Sequence, residues 1–307
     1  MSPNGAWRFE DWRGVDPAAL EPLYGAECSR WRASLSWDYA PSCEIVEAAR
    51  REGRAPGLVA RRGDGSVAAW TFFAPYEGVL QIGALVGDGD GSRAALLGAT
   101  IASPPATTAR AISCFLYPQS PQLASTLSAA GFLVERHLYL GADLRAVPLV
   151  PAAGFTCEED AGRDVAGIAA LLRRSYGRSR EASCFAPDGL PHQWEHYVSG
   201  LLVTEGCGRY LPLASLAMRD ARGELAGATL VSGISADTAH LAQVAIDPAC
   251  RGGGLGKALV QESCRAARAL GFRRMTLLVA EGNTPARDLY ARLGFSGDQA
   301  FLHAVRS

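Results

Sequence analysis

Lysine is almost missing from this chain: of its 30 basic residues, 29 are arginine and only Lys257 is lysine. An excess of either charge is missing too. Thirty basic residues against 31 acidic ones leave a formal net charge of −1. That balance excludes a general grip on nucleic acid, which needs a basic surplus to displace counterions from phosphate. No apolar run reaches the roughly 18 residues of a membrane-spanning helix. The opening MSPNGAWRFEDWRG has neither the basic start nor the apolar core of a signal peptide, so a cytoplasmic location is expected. The eight cysteines, at 28, 43, 114, 157, 184, 207, 250 and 264, form no C-x-x-C pair, and none pairs with histidine at metal-ligand spacing. Neither a disulfide framework nor a metal site is expected, and reduced, mostly buried thiols are.

What is present is an ordinary globular balance, 48% hydrophobic and 20% charged over 307 residues, a length that favours two domains or one large one. Periodicity predicts helices over Asp16–Trp31 and Pro41–Arg51, then strands over Gly57–Arg62, Ser66–Pro75 and Val79–Val86. A Gly-Asp-Gly turn at Gly63–Gly65 marks the first two strands as a hairpin. Helix Ser92–Ala102, strand Ala111–Tyr117, helix Pro121–Ala130 and strand Glu135–Leu144 complete the half. The segment Arg145–Gly154, with Pro148 and Pro151, carries little pattern and reads as a linker.

The same order then repeats. Helices are predicted over Val165–Tyr176 and Leu190–Thr204, strands over Leu211–Arg219, Leu225–Ile234 and Ala239–Ile246. Helix Leu255–Leu270, strand Arg274–Val279, helix Pro285–Leu293 and strand Gln299–Val305 follow. Each half has a helix ending in Gly-Phe, Gly131-Phe132 and Gly294-Phe295, 163 residues apart. One Gly-Phe pair is weak evidence, because glycine ends helices everywhere; nine matched elements indicate an internal duplication.

The most informative stretch runs from His240 to Lys257, HLAQVAIDPACRGGGLGK: an apolar strand enters a glycine cluster that opens a helix. Glycines let the backbone turn tightly and approach a ligand closely. The N–H groups of a helix's first turn lack intrahelical partners and sit at its positive end, a ready site for phosphate. Arg251 and Lys257 bracket the loop with positive charge. The P-loop pattern fails, since Arg251 occupies its first glycine position and Ala258 follows Lys257; the dinucleotide pattern G-x-G-x-x-G fails because its third glycine position is Lys257.

Arg251, Gly254 and Gly256 do fit Arg-x-x-Gly-x-Gly, followed about 30 residues on by Asn283, Tyr290 and Gly294-Phe295. In these motifs and in element order the chain resembles the GNAT superfamily of acetyl-CoA-dependent N-acetyltransferases, closely over 154–307 and by topology alone over 1–145. The resemblance implies an α/β (α+β) fold of two tandem GNAT-like domains, each a mixed, mostly antiparallel central sheet flanked by helices. A degenerate domain is expected over 1–145, a linker over 146–153 and a catalytic domain over 154–307.

The resemblance also implies roles. The backbones of Val244 and Ile246, on a strand splayed from its neighbour, pair with the pantetheine arm as an added strand would. The N–H groups of Gly252, Gly253, Gly254, Leu255, Gly256 and Lys257, with Arg251 beside them, hold the pyrophosphate of acetyl-CoA. Asn283 contacts the pantetheine or thioester region, and Tyr290 gives a proton to the departing thiolate. An ordinary core tyrosine on an amphipathic helix is the competing reading of Tyr290.

Transfer to a primary amine needs a free lone pair, yet an alkylamine with a pKa of about 10.4 is mostly protonated at neutral pH. His240, eleven residues before Arg251, is the candidate base, since several family members carry a catalytic His or Glu there and imidazole suits the task. The alternatives are a water-relayed base, no base, and a His240 that only hydrogen-bonds locally. Direct transfer in a ternary complex is expected over a route through Cys184 or Cys250. The resemblance implies an acceptor pocket at Tyr176–Tyr197, a span mixing aromatics with charges; the competing reading is that Trp194 and Tyr197 are core-facing helix residues.

At the register of the glycine loop the first half reads Val86-Gly-Asp88-Gly-Asp90-Gly-Ser-Arg93, with carboxylates in place of the basic bracket. Leu127 takes the place of Tyr290, and about Ser120 that of Asn283. The first half is therefore expected to keep the fold without the cofactor chemistry. The expected activity is acetyl-CoA-dependent N-acetylation of a small-molecule amine, with no nucleic-acid or membrane partner. A protein or peptide acetyltransferase and a non-catalytic acyl-CoA sensor are the alternatives, and no pattern specifies an oligomeric state.

Overall fold

The computed structural model describes residues 7–148, 156–203 and 207–307. Of the expected linker, positions 149–153 lie outside the described residues. In chain order the first part carries β1 (Arg8–Asp11), α1 (Pro17–Leu35), α2 (Ala40–Arg51), β2 (Gly57–Arg61), β3 (Val67–Tyr76) and β4 (Val79–Gly87). It continues with α3 (Asp90–Ile101), α4 (Pro104–Thr108), β5 (Ala111–Leu116), α5 (Gln122–Ala129) and β6 (Leu133–Asp143). Then come β7 (Thr156–Glu159), α6 (Val165–Tyr176), α7 (Pro191–Val203), β8 (Arg209–Tyr210), β9 (Leu216–Arg219), β10 (Leu225–Gly233) and β11 (Thr238–Ile246). Helix α8 (Leu255–Ala269), β12 (Arg274–Ala280), α9 (Thr284–Arg292) and β13 (Ser296–Arg306) close the order.

Two compact units result. One holds residues up to His137 together with Ala300–Ser307; the other holds Leu138–Gln299. The divisions thus fall inside β6 and inside β13. In the first unit, β1 to β4 pair antiparallel in sequence order, β4 pairs parallel with β5, and β5 pairs antiparallel with the later part of β13. In the second, β7, β9, β10 and β11 form the antiparallel run and β11 pairs parallel with β12. Each unit is therefore a mixed, mostly antiparallel sheet flanked by helices. Among the described residues no helix is long and apolar enough to cross a membrane.

Local chemistry explains most element boundaries. Helix α1 opens on Asp16, whose carboxylate accepts from the Ala18 N–H, and buries Leu20, Leu23, Trp31 and Leu35 along one face. The expected hairpin forms, with Arg62 N–H donating to Ser66 O and Gly65 at φ +88°. Helix α8 buries Leu255, Leu259, Val260 and Cys264 at helical spacing, packing Leu255 and Leu259 against Leu216, Met218 and Ala226. Covering a leucine in this way contributes about 1.5–3 kcal/mol.

The predicted strand Leu211–Arg219 is not continuous. Pro212 opens a single 3-10 turn, Pro212–Ala214, and the strand begins only at Leu216. Proline has no N–H to give a ladder. Ser215 stands in, its hydroxyl accepting from Val231 N–H and donating to Leu211 O. The two Gly-Phe helix ends match in detail. Gly131 and Gly294 have φ +86° and +85°, and the next N–H returns to Leu127 O and to Tyr290 O, a left-handed C-terminal closure. Leu127 therefore occupies in the first unit the place that Tyr290 occupies in the second.

Candidate functional site

The site of the second unit starts from a flaw in its sheet. Opposite β10, Leu230 faces Gln243 and Val231 faces Leu241, so Ala242 is an extra residue, a bulge. Parallel pairing of β11 with β12 runs from Thr238↔Arg274 to Leu241↔Leu277 and stops at that bulge. Both strands continue, to Ile246 and Ala280. Val244 and Ile246 thus lie on a strand that is paired with β10 on one side and has parted from β12 on the other.

The strand ends in the glycine turn. Asp247 caps a short turn by accepting from Ala249 N–H, then Gly252 and Gly254 take φ +85° and +83°, a region open mainly to glycine. A Cβ built on Gly252, Gly253 or Gly254 would meet nothing within 4 Å, so the backbone there borders open space. Gly254 is the N-cap of α8 and offers no side chain to cap it. Among the described residues, no hydrogen bond reaches the N–H groups of Gly252 through Lys257. Lys257 is exposed, whereas Leu255 turns its side chain into the core. Such unsatisfied donors at the positive end of a 15-residue helix suit a phosphate group.

Arg251 faces elsewhere. Its guanidinium donates to Ser175 O at 2.6 Å, to Ser175 Oγ at 3.2 Å and to Ile246 O at 3.4 Å. With the Arg174–Asp247 ion pair at 2.8 Å, it fastens the last turn of α6 to the loop. Asn283 caps α9, its Oδ1 accepting from Ala286 N–H at 3.3 Å, which leaves its amide NH2 as the group available to a ligand.

Tyr290 is 7% exposed and packs 5.9 Å from Phe295. Burial, with the Glu181 charge adding to it, raises its pKa well above the ordinary phenol value. The same carboxylate acts on Tyr176, whose pKa burial also raises. Gln243 organises this side: Tyr176 Oη donates to its Oε1 at 2.9 Å, and its Nε2 donates to Tyr197 Oη at 2.6 Å. Phe185 lies 5.2 Å from Tyr176 and 4.7 Å from Tyr197. The expected acceptor span thus forms an aromatic wall. Gln243, overlooked in the sequence, is its fixing point; a lone polar residue inside the apolar run Leu241–Ile246 was the available signal.

His240 does not have the surroundings of a general base. It is 4% exposed, its Nδ1 lies 3.0 Å from Thr276 Oγ1, and its ring stacks on Tyr139. Burial pushes its pKa down to about 3, so it is neutral and weakly basic at neutral pH. Unfolded, the same histidine binds a proton below about pH 6.5. Between those two values the unfolded state binds more protons, so this histidine's contribution to stability is complete above about 6.5 and is lost as pH falls toward 3. His240→Asn should reduce the acid sensitivity of unfolding in that window by up to about 1.4 kcal/mol per pH unit. Urea midpoints at pH 7 and pH 4.5 check this, and equal shifts in both proteins contradict it.

The first unit repeats the flaw but not the loop. Gly83 is the extra residue in β4, where a Cβ would lie 2.1 Å from the Phe72 ring, and pairing with β5 ends at Ile82↔Cys114. Bulge to bulge, Gly83 to Ala242, is 159 residues, not the 163 of the Gly-Phe ends. Moreover, β4 and α3 are joined by two residues, Asp88 and Gly89, where β11 and α8 are joined by eight. The glycines of Gly87–Gly91 therefore do not correspond to the glycine loop, correcting the register read from sequence. None of Gly87, Gly89 and Gly91 has a positive φ. Arg93, 5% exposed, donates to Gly87 O and Gln119 Oε1, both at 2.9 Å. Gln119 Oε1 also accepts from Gly87 N–H, and its Nε2 donates to Glu27. The chain's own side chains hold the end of this strand.

The acetyltransferase (GNAT) family profile matches residues 165–295. A mycothiol acetyltransferase of Actinosynnema mirum is 28% identical over 159 residues, 50% of this chain and 48% of the relative. A glucosamine 6-phosphate N-acetyltransferase of Trypanosoma brucei brucei is 39% identical over 56 residues, 18% of this chain and 36% of the relative. The chain thus spans about half of the first relative and about a third of the second. Among solved structures, a GCN5-related N-acetyltransferase of Sphaerobacter thermophilus aligns with TM-score 0.68 at 18% identity, covering 98% of this chain and 95% of that one. A tandem GNAT protein from the clavulanic acid biosynthesis pathway aligns with TM-score 0.66 at 18% identity, covering 98% of both chains. At these identities the structural likeness concerns the fold.

Proposed function

We propose that this chain, whose residues 165–295 match the GNAT acetyltransferase family profile, transfers an acetyl group from acetyl-CoA to the primary amine of a small molecule. The observation that carries the reading is a parted strand pair opening onto a glycine turn whose N–H groups are unsatisfied. The relatives named for mycothiol and for glucosamine 6-phosphate support a small-molecule acceptor.

When bound, acetyl-CoA supplies an acyl group activated by its thioester and leaves as the thiol. Backbone N–H groups from Gly252 to Lys257 hold its pyrophosphate, and the free edge of β11 at Val244 and Ile246 pairs with the pantetheine amides. The Asn283 amide NH2 meets the same arm. Tyr290, protonated throughout the physiological range, donates a hydrogen bond to the departing sulfur. The acceptor arrives as an ammonium beside the tyrosine wall, where Glu181 supplies the opposing charge. Its nitrogen loses one proton before attack and a second as the amide forms, while the thiolate gains one. His240 takes no proton in this scheme.

Amine-dependent release of free thiol from acetyl-CoA tests the activity. Glu181→Gln, which removes the charge and keeps the shape, should raise the KM for the amine about 10-fold or more, the scale of a charge-assisted hydrogen bond. The KM for acetyl-CoA should stay unchanged. Equal shifts in both constants would refer Glu181 to the fold and not to the acceptor. The first unit, with its plugged strand end and shortened loop, serves as scaffold in this reading. One acetyl-CoA site per chain is the corresponding stoichiometry.

A further inference from the structure

His137 and His303 stand 166 positions apart in the chain, yet they meet within the first unit. His137 is on the part of β6 that belongs to this unit, and His303 is on β13, opposite Phe115 of β5. The two rings are 5% and 4% exposed, their centroids 6.2 Å apart and their planes crossed at 88°. A nitrogen of one comes within 4.8 Å of a nitrogen of the other. The Nε2 atom of each is buried and has no hydrogen-bond partner among the described residues.

Leaving a buried polar atom unsatisfied destabilises the fold. Two such atoms converge here beside Phe115, whose ring lies 5.1 Å from His137 and 6.3 Å from His303. Apolar side chains would serve packing at lower cost, so the arrangement calls for a shared partner. Glu135 Oε2 lies 4.0 Å from His303 Nδ1. A carboxylate on that side favours the Nδ1–H tautomer and directs the Nε2 lone pair inward, the usual outer-sphere arrangement of a ligating histidine.

We propose that His137 and His303 form a binding site for a borderline transition-metal ion such as zinc, which clasps β13 to β6 in the first unit. Two imidazole nitrogens each about 2.0–2.1 Å from one zinc ion stand roughly 3.3–4.1 Å apart, inside the limit that the rings already meet. Imidazole donors select zinc, copper or nickel over calcium and magnesium. The site is independent of the acyl-transfer reading.

The test uses the full chain in a His192→Asn/His196→Asn background, because those exposed histidines, one turn apart on α7, can chelate metal themselves. After treatment with EDTA, calorimetric titration with zinc chloride should show one ion per chain, and zinc should raise Tm. His303→Phe should weaken binding at least 30-fold and abolish the Tm shift. Since that variant could fail to fold, the parent is also loaded with Cu(II), and its electron paramagnetic resonance spectrum should show coupling to two nitrogens. Absence of stoichiometric zinc binding in the parent, unchanged affinity in a folded His303→Phe protein, or a copper spectrum without two-nitrogen coupling overturns the proposal.

Discussion

Gly254→Glu is expected to weaken acetyl-CoA binding by about 100-fold or more, equivalent to about 2.7 kcal/mol, while the fold survives. The two halves of that statement come from different observations. A Cβ at this position meets nothing within 4 Å, so no neighbour must move. The φ of +83° costs an L-residue about 1–2 kcal/mol, and a carboxylate at the start of α8 returns about 0.3–1 kcal/mol through the helix dipole. Net stability therefore changes little. Binding changes much more, because the new carboxylate occupies the space and the positive field that a pyrophosphate requires. Calorimetry should show one site per chain in the natural sequence and none in the variant, with melting temperatures close together. Undiminished binding in Gly254→Glu would remove the loop from the cofactor site. Two sites in the natural sequence would show that the first unit also binds.

Tyr290→Phe should lower kcat by about 10²–10³-fold, the usual cost of losing a hydrogen-bond donor to developing negative charge, with the KM for acetyl-CoA unchanged. Only a hydroxyl is removed, so the ring keeps its contact with Phe295 at 5.9 Å, and the effect on stability should stay near 1 kcal/mol. The raised pKa of Tyr290 refines its role. A thiol of pKa about 8.5 is more acidic than this phenol, so complete proton transfer to the sulfur runs uphill. The hydroxyl stabilises the thiolate by hydrogen bonding, and solvent completes the protonation. Accordingly, the rate should show no limb from Tyr290 at neutral or mildly alkaline pH. An unchanged kcat in Tyr290→Phe would return the residue to the core, where its burial alone would place it.

Regular elements were legible because their periodicity is local. Helix Val165–Tyr176 occupies the predicted residues, and most strands fall within one or two residues of expectation. The short strands β1 and β7 went unseen, since four residues carry too little pattern to register. Pro212 divided a predicted strand by withholding one N–H. The open glycine turn was readable because positive φ and an uncapped helix start are written in glycine itself. The direction of the Arg251 side chain was not, because it depends on where α6 ends. Nor was the state of His240, whose low pKa comes from burial that no stretch of sequence specifies. The apparent match of Gly87–Gly91 to the glycine loop failed because sequence spacing cannot show that one connection is six residues shorter. The pairing of His137 with His303 was hidden for a related reason: only the meeting of distant strands creates it.

The division of β13 between units bears on how this protein is made. Strand β5 finds its antiparallel partner in Leu302–Arg306, residues of the first unit that a ribosome reaches long after His137. At about 5–20 residues per second, the first unit waits roughly 10–30 s with that edge open. During this interval the backbone groups of Ile112–Leu116 offer a template to any extended segment nearby. Folding as the chain emerges therefore leaves the earlier-made unit to be finished last, and a chaperone that shields exposed strand edges would act on it before the full chain is released.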